Sequence, residues 1–159
     1  KELKYHSQII NSGRFVNDSM GRYAGKQIVK KLLKNGVQTL GAKALVLGVT
    51  FKENVSDIRN SKVFEIVAEL EEFGIDVTLT DPFANPAQVE KESGYQLSEN
   101  PLDNKSPEKF DTIVLAVSHA NYLKYPESQF KTVMSSNGLF ADIKGVYREK
   151  ITKLSYWSF

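Results

Sequence analysis

The chain contains no cysteine. That absence excludes disulfides, thiolate metal sites and a cysteine nucleophile within these residues. An excess of charge of either sign is also missing: 21 Lys and Arg stand against 19 Asp and Glu, with no dense basic cluster. A nucleic-acid partner is therefore not expected. No apolar run approaches the ~20 residues of a membrane span and no signal-peptide pattern opens the sequence, so no membrane partner is expected and the cytoplasm is the expected compartment. Glycine is sparse where it would be most informative. The stretch VLGVTFKENVSDIR (46–59) reads as a buried strand running into a loop and a helix start, yet holds only Gly48. The G-x-G-x-x-G spacing that lets a backbone approach a dinucleotide pyrophosphate is absent.

What is present is ordinary globular material: 159 residues, 41% hydrophobic and 25% charged. That length supports one domain with a real core. The sequence starts at Lys1 rather than Met, as a piece of a longer protein would. From about Gly13 to Lys34 the spacing of Val16, Met20, Tyr23, Ala24, Ile28 and Leu32, widened by Val29 and Leu33, predicts a helix, with Gly36 placed to cap it. Such a helix packs on its own domain or meets a partner. KALVLG (43–48) and DTIVLAV (111–117) are continuous apolar runs, the pattern of strands buried on both faces. Val63, Ile66, Val67 and Leu70 predict a helix capped by Asp57 or Asn60 and ended at Gly74. DVTLT (76–80) reads as a strand stopped by Asp81-Pro82, and a short helix is expected from Pro86. Residues 98–109 read as a loop around a short helix, 121–134 as weakly helical and GLFAD (138–142) as a strand. Strands alternating with helices imply crossover connections. The expected fold is α/β, a Rossmann-like doubly wound parallel sheet preceded by a long helix. The expected division is a helical segment over 1–37 and the sheet domain over 38–159.

Ligands of such sheets lie beyond the carboxyl ends of the strands. The loops 50–59, 118–122 and 142–147 meet there. Lys52 offers a point charge and Arg59 a planar fork at a helix N-terminus, both suited to phosphate. The plainer alternative leaves Lys52 solvated and Arg59 paired with Asp57 or Glu53. Lys144 adds a third cation to the rim. His119 has no nucleophile or carboxylate pair spaced to work with it, which favours a structural contact. Asp81 lies well beyond the ~20 residues from Gly48 at which a ribose-binding acid is usual, so Asp81-Pro82 reads as a turn.

Three stretches together resemble the C-terminal part of the UDP-glucose/GDP-mannose dehydrogenase family: LGVTFKENVSDIRNSKVFEIVAELEEFGIDVTLTDP (47–82), FDTIVLAVSHANY (110–122) and FADIKGVY (140–147). NSGRFVNDSMGRYAGKQIVKKLLKNG (11–36) is similar to the end of the family's central dimerisation helix. The closing YWSF resembles members that oxidise UDP-N-acetylhexosamines. The resemblance implies that Phe51 and Lys52 contact a UDP-sugar substrate and that Arg59 reaches NAD phosphate. Lys144 stands where several members carry a substrate-binding arginine, keeping the charge but losing the fork. It also implies a parent whose N-terminal half binds NAD and carries the catalytic cysteine, so this chain holds no catalytic residue. The parent would be a homodimer that oxidises the sugar C6 alcohol to a carboxylate for polysaccharide biosynthesis. The rival readings are a non-catalytic Rossmann-like module for a nucleotide or sugar phosphate, and a structural dimerisation piece.

Overall fold

The computed structural model describes residues 8–104 and 108–159, with side chains from residue 19 onward. A long helix, α1 (Gln8–Lys34), leads into β1 (Lys43–Leu47), α2 (Val63–Glu72), β2 (Asp76–Thr80) and α3 (Pro86–Ser93). There follow β3 (Phe110–Leu115), α4 (Ala120–Leu123), α5 (Glu127–Val133), β4 (Met134–Asp142) and β5 (Ser155–Ser158). The five strands form one parallel sheet in the order β2-β1-β3-β4-β5. The order reverses between β1 and β3, the switch point at which an open α/β sheet leaves a crevice.

The continuous apolar runs are explained by burial on both faces. Ala44 and Val46 of β1, Val114 of β3 and Leu139 and Ala141 of β4 join one core with α1, α2 and Val89 of α3. Their neighbours Leu45, Leu47, Ile113, Leu115 and Phe140 join a second core with Phe130, Val133 and Tyr147. The first core is built of aliphatic side chains. The second is aromatic, with Phe130 4.6 Å from Phe140 and 5.3 Å from Tyr147 between ring centroids.

Helix α1 divides its apolar residues. Ala24, Ile28, Val29 and Leu32 are buried in the first core, while Met20, Tyr23 and Leu33 are exposed. Val16 lies outside the described side chains. The helix approaches α2 through Gly21 and Gly25, one turn apart on the same face. A Cβ at Gly21 would stand 2.6 Å from Glu65 Cβ, and one at Gly25 would stand 2.7 Å from Glu69 Cβ. Glu69 is 2% exposed in that seam, flanked by Arg22 at 3.9 Å and Lys26 at 3.8 Å.

The structure departs from the sequence expectations at element ends. Neither Asp57 nor Asn60 caps α2; Lys62 holds the N-cap position without a side-chain bond. The helical signal over 121–134 is two helices, because Pro126 interrupts it. No helix forms among the described residues of 98–109. Strand β4 begins at Met134 rather than Gly138, and β5 completes the sheet where only a tail was read.

Replacing Gly25 with Val forces a branched side chain into the α1–α2 seam. The expected cost is about 1–3 kcal/mol of stability, seen as a lower urea midpoint at unchanged slope. An unchanged midpoint would remove the seam as a packing constraint.

Candidate functional site

The carboxyl ends of β1, β2 and β3 are joined by one buried carboxylate. Asp81 follows β2, and its side chain is fully buried. Its Oδ2 accepts hydrogen bonds from the Val49 amide at 2.7 Å, the Thr50 amide at 3.3 Å and His119 Nε2 at 3.0 Å. Its Oδ1 accepts from the amides of Phe83 and Ala84, both at 2.8 Å, which makes Asp81-Pro82 the turn expected from the sequence. Burial works to raise this carboxyl, but the bonds from His119 and the backbone amides outweigh it and hold the group below its ordinary value.

His119 is fully buried and structural in its contacts. The Asn54 amide donates to Nδ1 at 2.9 Å, so the proton of the neutral ring sits on Nε2 and points at Asp81, with Thr50 Oγ1 alongside at 3.1 Å. Asn54 Oδ1 in turn accepts from the Ala120 amide at 2.9 Å. The loop after β1 is thus stitched to the loop after β3. Gly48 permits that approach, since a Cβ there would stand 2.6 Å from Val117 Cβ.

This arrangement answers what a strand-to-helix loop poor in glycine can do. In a dinucleotide fold the amides following β1 face a pyrophosphate. Here the amides of Val49 and Thr50 face the protein's own Asp81. The two left-handed positions that glycine would usually fill are taken by Asn54 at φ 58° and Asn60 at φ 60°, a conformation asparagine tolerates better than most residues. These two amides are therefore not available to an external anion.

A pocket of about 150 Å³ lies beside this network, at the carboxyl ends of β1, β3 and β4. Thr50, Phe51, Asn60, Ser61 and Lys62 form one side, and Ala116, Val117, Ile143 and Lys144 the other. The structure thus brings together Phe51 and Lys144 of the four residues expected at the site. Lys52 lies outside the lining, with its ammonium 5.5 Å from the centroid of the Phe51 ring. Arg59 also lies outside: its fork grips Asp57 through Nε at 2.9 Å and Nη2 at 2.8 Å. That bond from Arg59 draws the Asp57 carboxyl down to about 2. Lys144 is fixed by the strand-terminal Asp142, whose buried carboxylate accepts from the Gly145 amide, the Tyr147 amide and the Tyr156 hydroxyl. The Lys144 ammonium donates to Glu53 on the loop after β1, a residue outside the pocket lining. Thr50, Asn60 and Ser61 were not anticipated as pocket residues; the signal available for Asn60 was an asparagine where the loop needs a positive φ.

A larger groove of about 690 Å³, between Asn35, Lys131 and Lys153, opens at the amino ends of β4 and β5, away from the crevice. Among the described residues there is no cluster of side chains able to hold a metal ion. No described helix is long and apolar enough to cross a membrane.

A parallel α/β sheet with a pocket beyond the carboxyl ends of its strands, beside the switch point, defines a Rossmann-like domain with its crevice where such folds bind ligands. Residues 45–149 match the sequence pattern of the UDP-glucose/GDP-mannose dehydrogenase family, UDP binding domain. The chain belongs to that family. It is 37% identical to Protein CapL of Staphylococcus aureus over 146 residues, and 35% identical to the UDP-N-acetyl-D-glucosamine 6-dehydrogenase of Pseudomonas aeruginosa over 144. These alignments cover 92% and 91% of this chain but 33% of each relative, so the chain spans about a third of their length. The fold superposes on the NDP-N-acetyl-D-galactosaminuronic acid dehydrogenase of Methanosarcina mazei with a TM-score of 0.82 at 21% identity, covering 100% of this chain and 33% of that one. A UDP-D-ManNAc dehydrogenase of Pyrococcus horikoshii gives 0.81 at 19%, covering 99% and 34%. These structural likenesses establish the fold.

Because Asp81 titrates below its unfolded value of ~3.9, the stabilisation it gives is complete above that pH and is lost as pH falls through the native value. Asp81→Asn should cost about 1–3 kcal/mol at neutral pH, since one set of inward-pointing amides loses its acceptor. It should also flatten the acid limb of a stability-against-pH curve. An unaltered acid limb would show that the carboxylate does not carry it.

Proposed function

We propose that this chain is the UDP-binding part of an NAD-dependent UDP-N-acetylhexosamine 6-dehydrogenase. The observation that carries the reading is the pocket at the switch point, inside the family-matched residues, walled by Phe51 and Lys144. At about 150 Å³ it is smaller than the ~300–1,000 Å³ of a self-sufficient ligand site. That size suits a site that takes part of a nucleotide sugar and is completed by a second half. In this reading Phe51 offers a half-exposed ring face, and Lys144 the cation for phosphate, with Lys52 at the rim closing on the substrate from outside the pocket.

The parent would oxidise the sugar C6 alcohol to a carboxylate in two NAD-dependent steps, serving polysaccharide synthesis in the cytoplasm. The residues present do not fit a complete dinucleotide site. The glycine fingerprint is missing, and Asp81, at the end of β2 where a ribose-binding acid would stand, is saturated by internal donors. NAD is therefore assigned to the N-terminal half, with Arg59 as this chain's contribution across the cleft once it exchanges Asp57 for phosphate. The catalytic nucleophile is likewise assigned outside this chain, which has no cysteine. Residues 1–37 would be the end of a central helix through which the parent dimerises, and 38–159 the UDP-sugar domain.

Two measurements test the reading. Calorimetry should detect UDP binding to this chain while it forms no NADH from any UDP-sugar; NADH formation would refute the division of labour. In the full-length parent, Lys52→Ala should leave the melting temperature unchanged and lower kcat/KM by roughly 30- to 1,000-fold. Near-wild-type kinetics would return Lys52 to the solvated surface.

A further inference from the structure

Among the described residues, each cation at the rim pocket and its neighbouring helix start, save Lys52, is engaged by a carboxylate of the same chain. Lys62 donates to Glu65 at 3.0 Å, three residues along α2. Arg59 grips Asp57 two residues away. The Lys144 pair differs from both. Its partner Glu53 lies 91 residues away in sequence, on the loop after β1, so the contact ties that loop to the loop after β4, beside the pocket that Lys144 lines. The Lys144 bond holds the Glu53 carboxyl below its ordinary value. Neither residue is buried: the Lys144 side chain is 50% exposed and that of Glu53 32%. An exposed pair of this kind adds little to folding.

We propose that Glu53 is a built-in competitor for the anionic ligand of this pocket, occupying Lys144 until a phosphate displaces it. The inference rests on the reading of the pocket as a nucleotide-diphosphate site. It assigns a role to a residue that the site had not included. The ammonium is a point charge that serves a carboxylate or a phosphate oxygen equally well. While Glu53 holds it, an arriving anion meets a negative charge beside the pocket and must share the ammonium with a carboxylate or take that carboxylate's place. Small anions without further contacts are thereby disfavoured against a nucleotide that also uses the Phe51 ring and the polar wall of Asn60 and Ser61. Glu53 thereby lowers the affinity of the empty site for small anions.

Titration calorimetry with UDP as probe and uridine as control tests this on the wild-type chain, Glu53→Gln, Lys144→Ala and the double variant. Glu53→Gln keeps the size of the side chain and removes its charge. It should tighten UDP binding by about two- to fivefold, the range of an exposed charge pair, and the gain should shrink as salt is raised. Uridine, lacking phosphate, should bind both forms alike. With Lys144 already replaced, Glu53→Gln should retain at most the small benefit of removing a repulsive charge. UDP binding weakened by Lys144→Ala but unchanged or weakened by Glu53→Gln overturns the competitor role and leaves the site reading intact. UDP binding indifferent to Lys144→Ala overturns Lys144 as a ligand contact and the inference with it. Absence of UDP binding to all four forms overturns both. Matching melting temperatures among the variants confirm that folding is not what changed.

Discussion

The convergence of five donors on Asp81 is the constraint around which the ligand-facing end of the molecule is arranged. A carboxylate in the interior is tolerated only when its lone pairs are filled. Filling them here recruits the start of the β1 loop, the turn after β2 and the histidine after β3. Three loops that are separate in sequence thus acquire a fixed relation to one another. The same bond set decides what kind of ligand site the fold can have. The amides that a dinucleotide fold offers to a pyrophosphate are satisfied from within, and recognition passes to side chains on the rim. Glycine is then not needed for close phosphate approach, and asparagines can take the left-handed turns.

Asp142 repeats the device one strand further along the sheet. It too ends a strand, is fully buried, and folds the loop beyond it by accepting two backbone amides. It also binds the hydroxyl of Tyr156 on the edge strand, tying the last strand to the loop that presents Lys144. The rim therefore consists of exposed cations mounted on loops held by buried, saturated anions. The inner carboxylates fix the positions of the loops, and the outer charges are paired at the exposed surface.

Much of this fold was legible in the residues. KALVL and DTIVL could be read as buried strands because a sheet covered on both faces shows no alternation, and the helical stripe of α2 was clear from its period. Strand β5 was not legible, because four residues of SYWS carry no period of their own and pair only because β4 offers an edge. The cap of α2 was misread because Asp57 spends its carboxylate on Arg59 and Asn60 turns left-handed. The pocket was half legible. Phe51 and Lys144 could be placed on strand-end loops, but which cations face one another depends on loop positions set by Asp81 and Asp142. No spacing rule connects Glu53 to Lys144 across the length of the domain. The strand ends located the loops and the resemblance to a known family added Phe51; only the folded chain separates Phe51 and Lys144 in the pocket from Lys52 and Arg59 outside it.

The glycine seam between α1 and α2 has a mechanical side. Twenty-seven residues at ~1.5 Å each make α1 a rod of about 40 Å. Gly21 and Gly25 let one stretch of that rod lie flush against the domain, with Ile28 and Leu32 sunk into the core beyond them. A shaft seated in this way cannot pivot at the seam without opening it, so helix and sheet rotate as one piece. The stretch from Gln8 to Gly21 projects about 20 Å beyond the seam, so a tilt of about 10° would sweep its end through roughly 3–4 Å. Small rotations at the crevice are thereby amplified into displacements of side-chain size at the amino end of the helix.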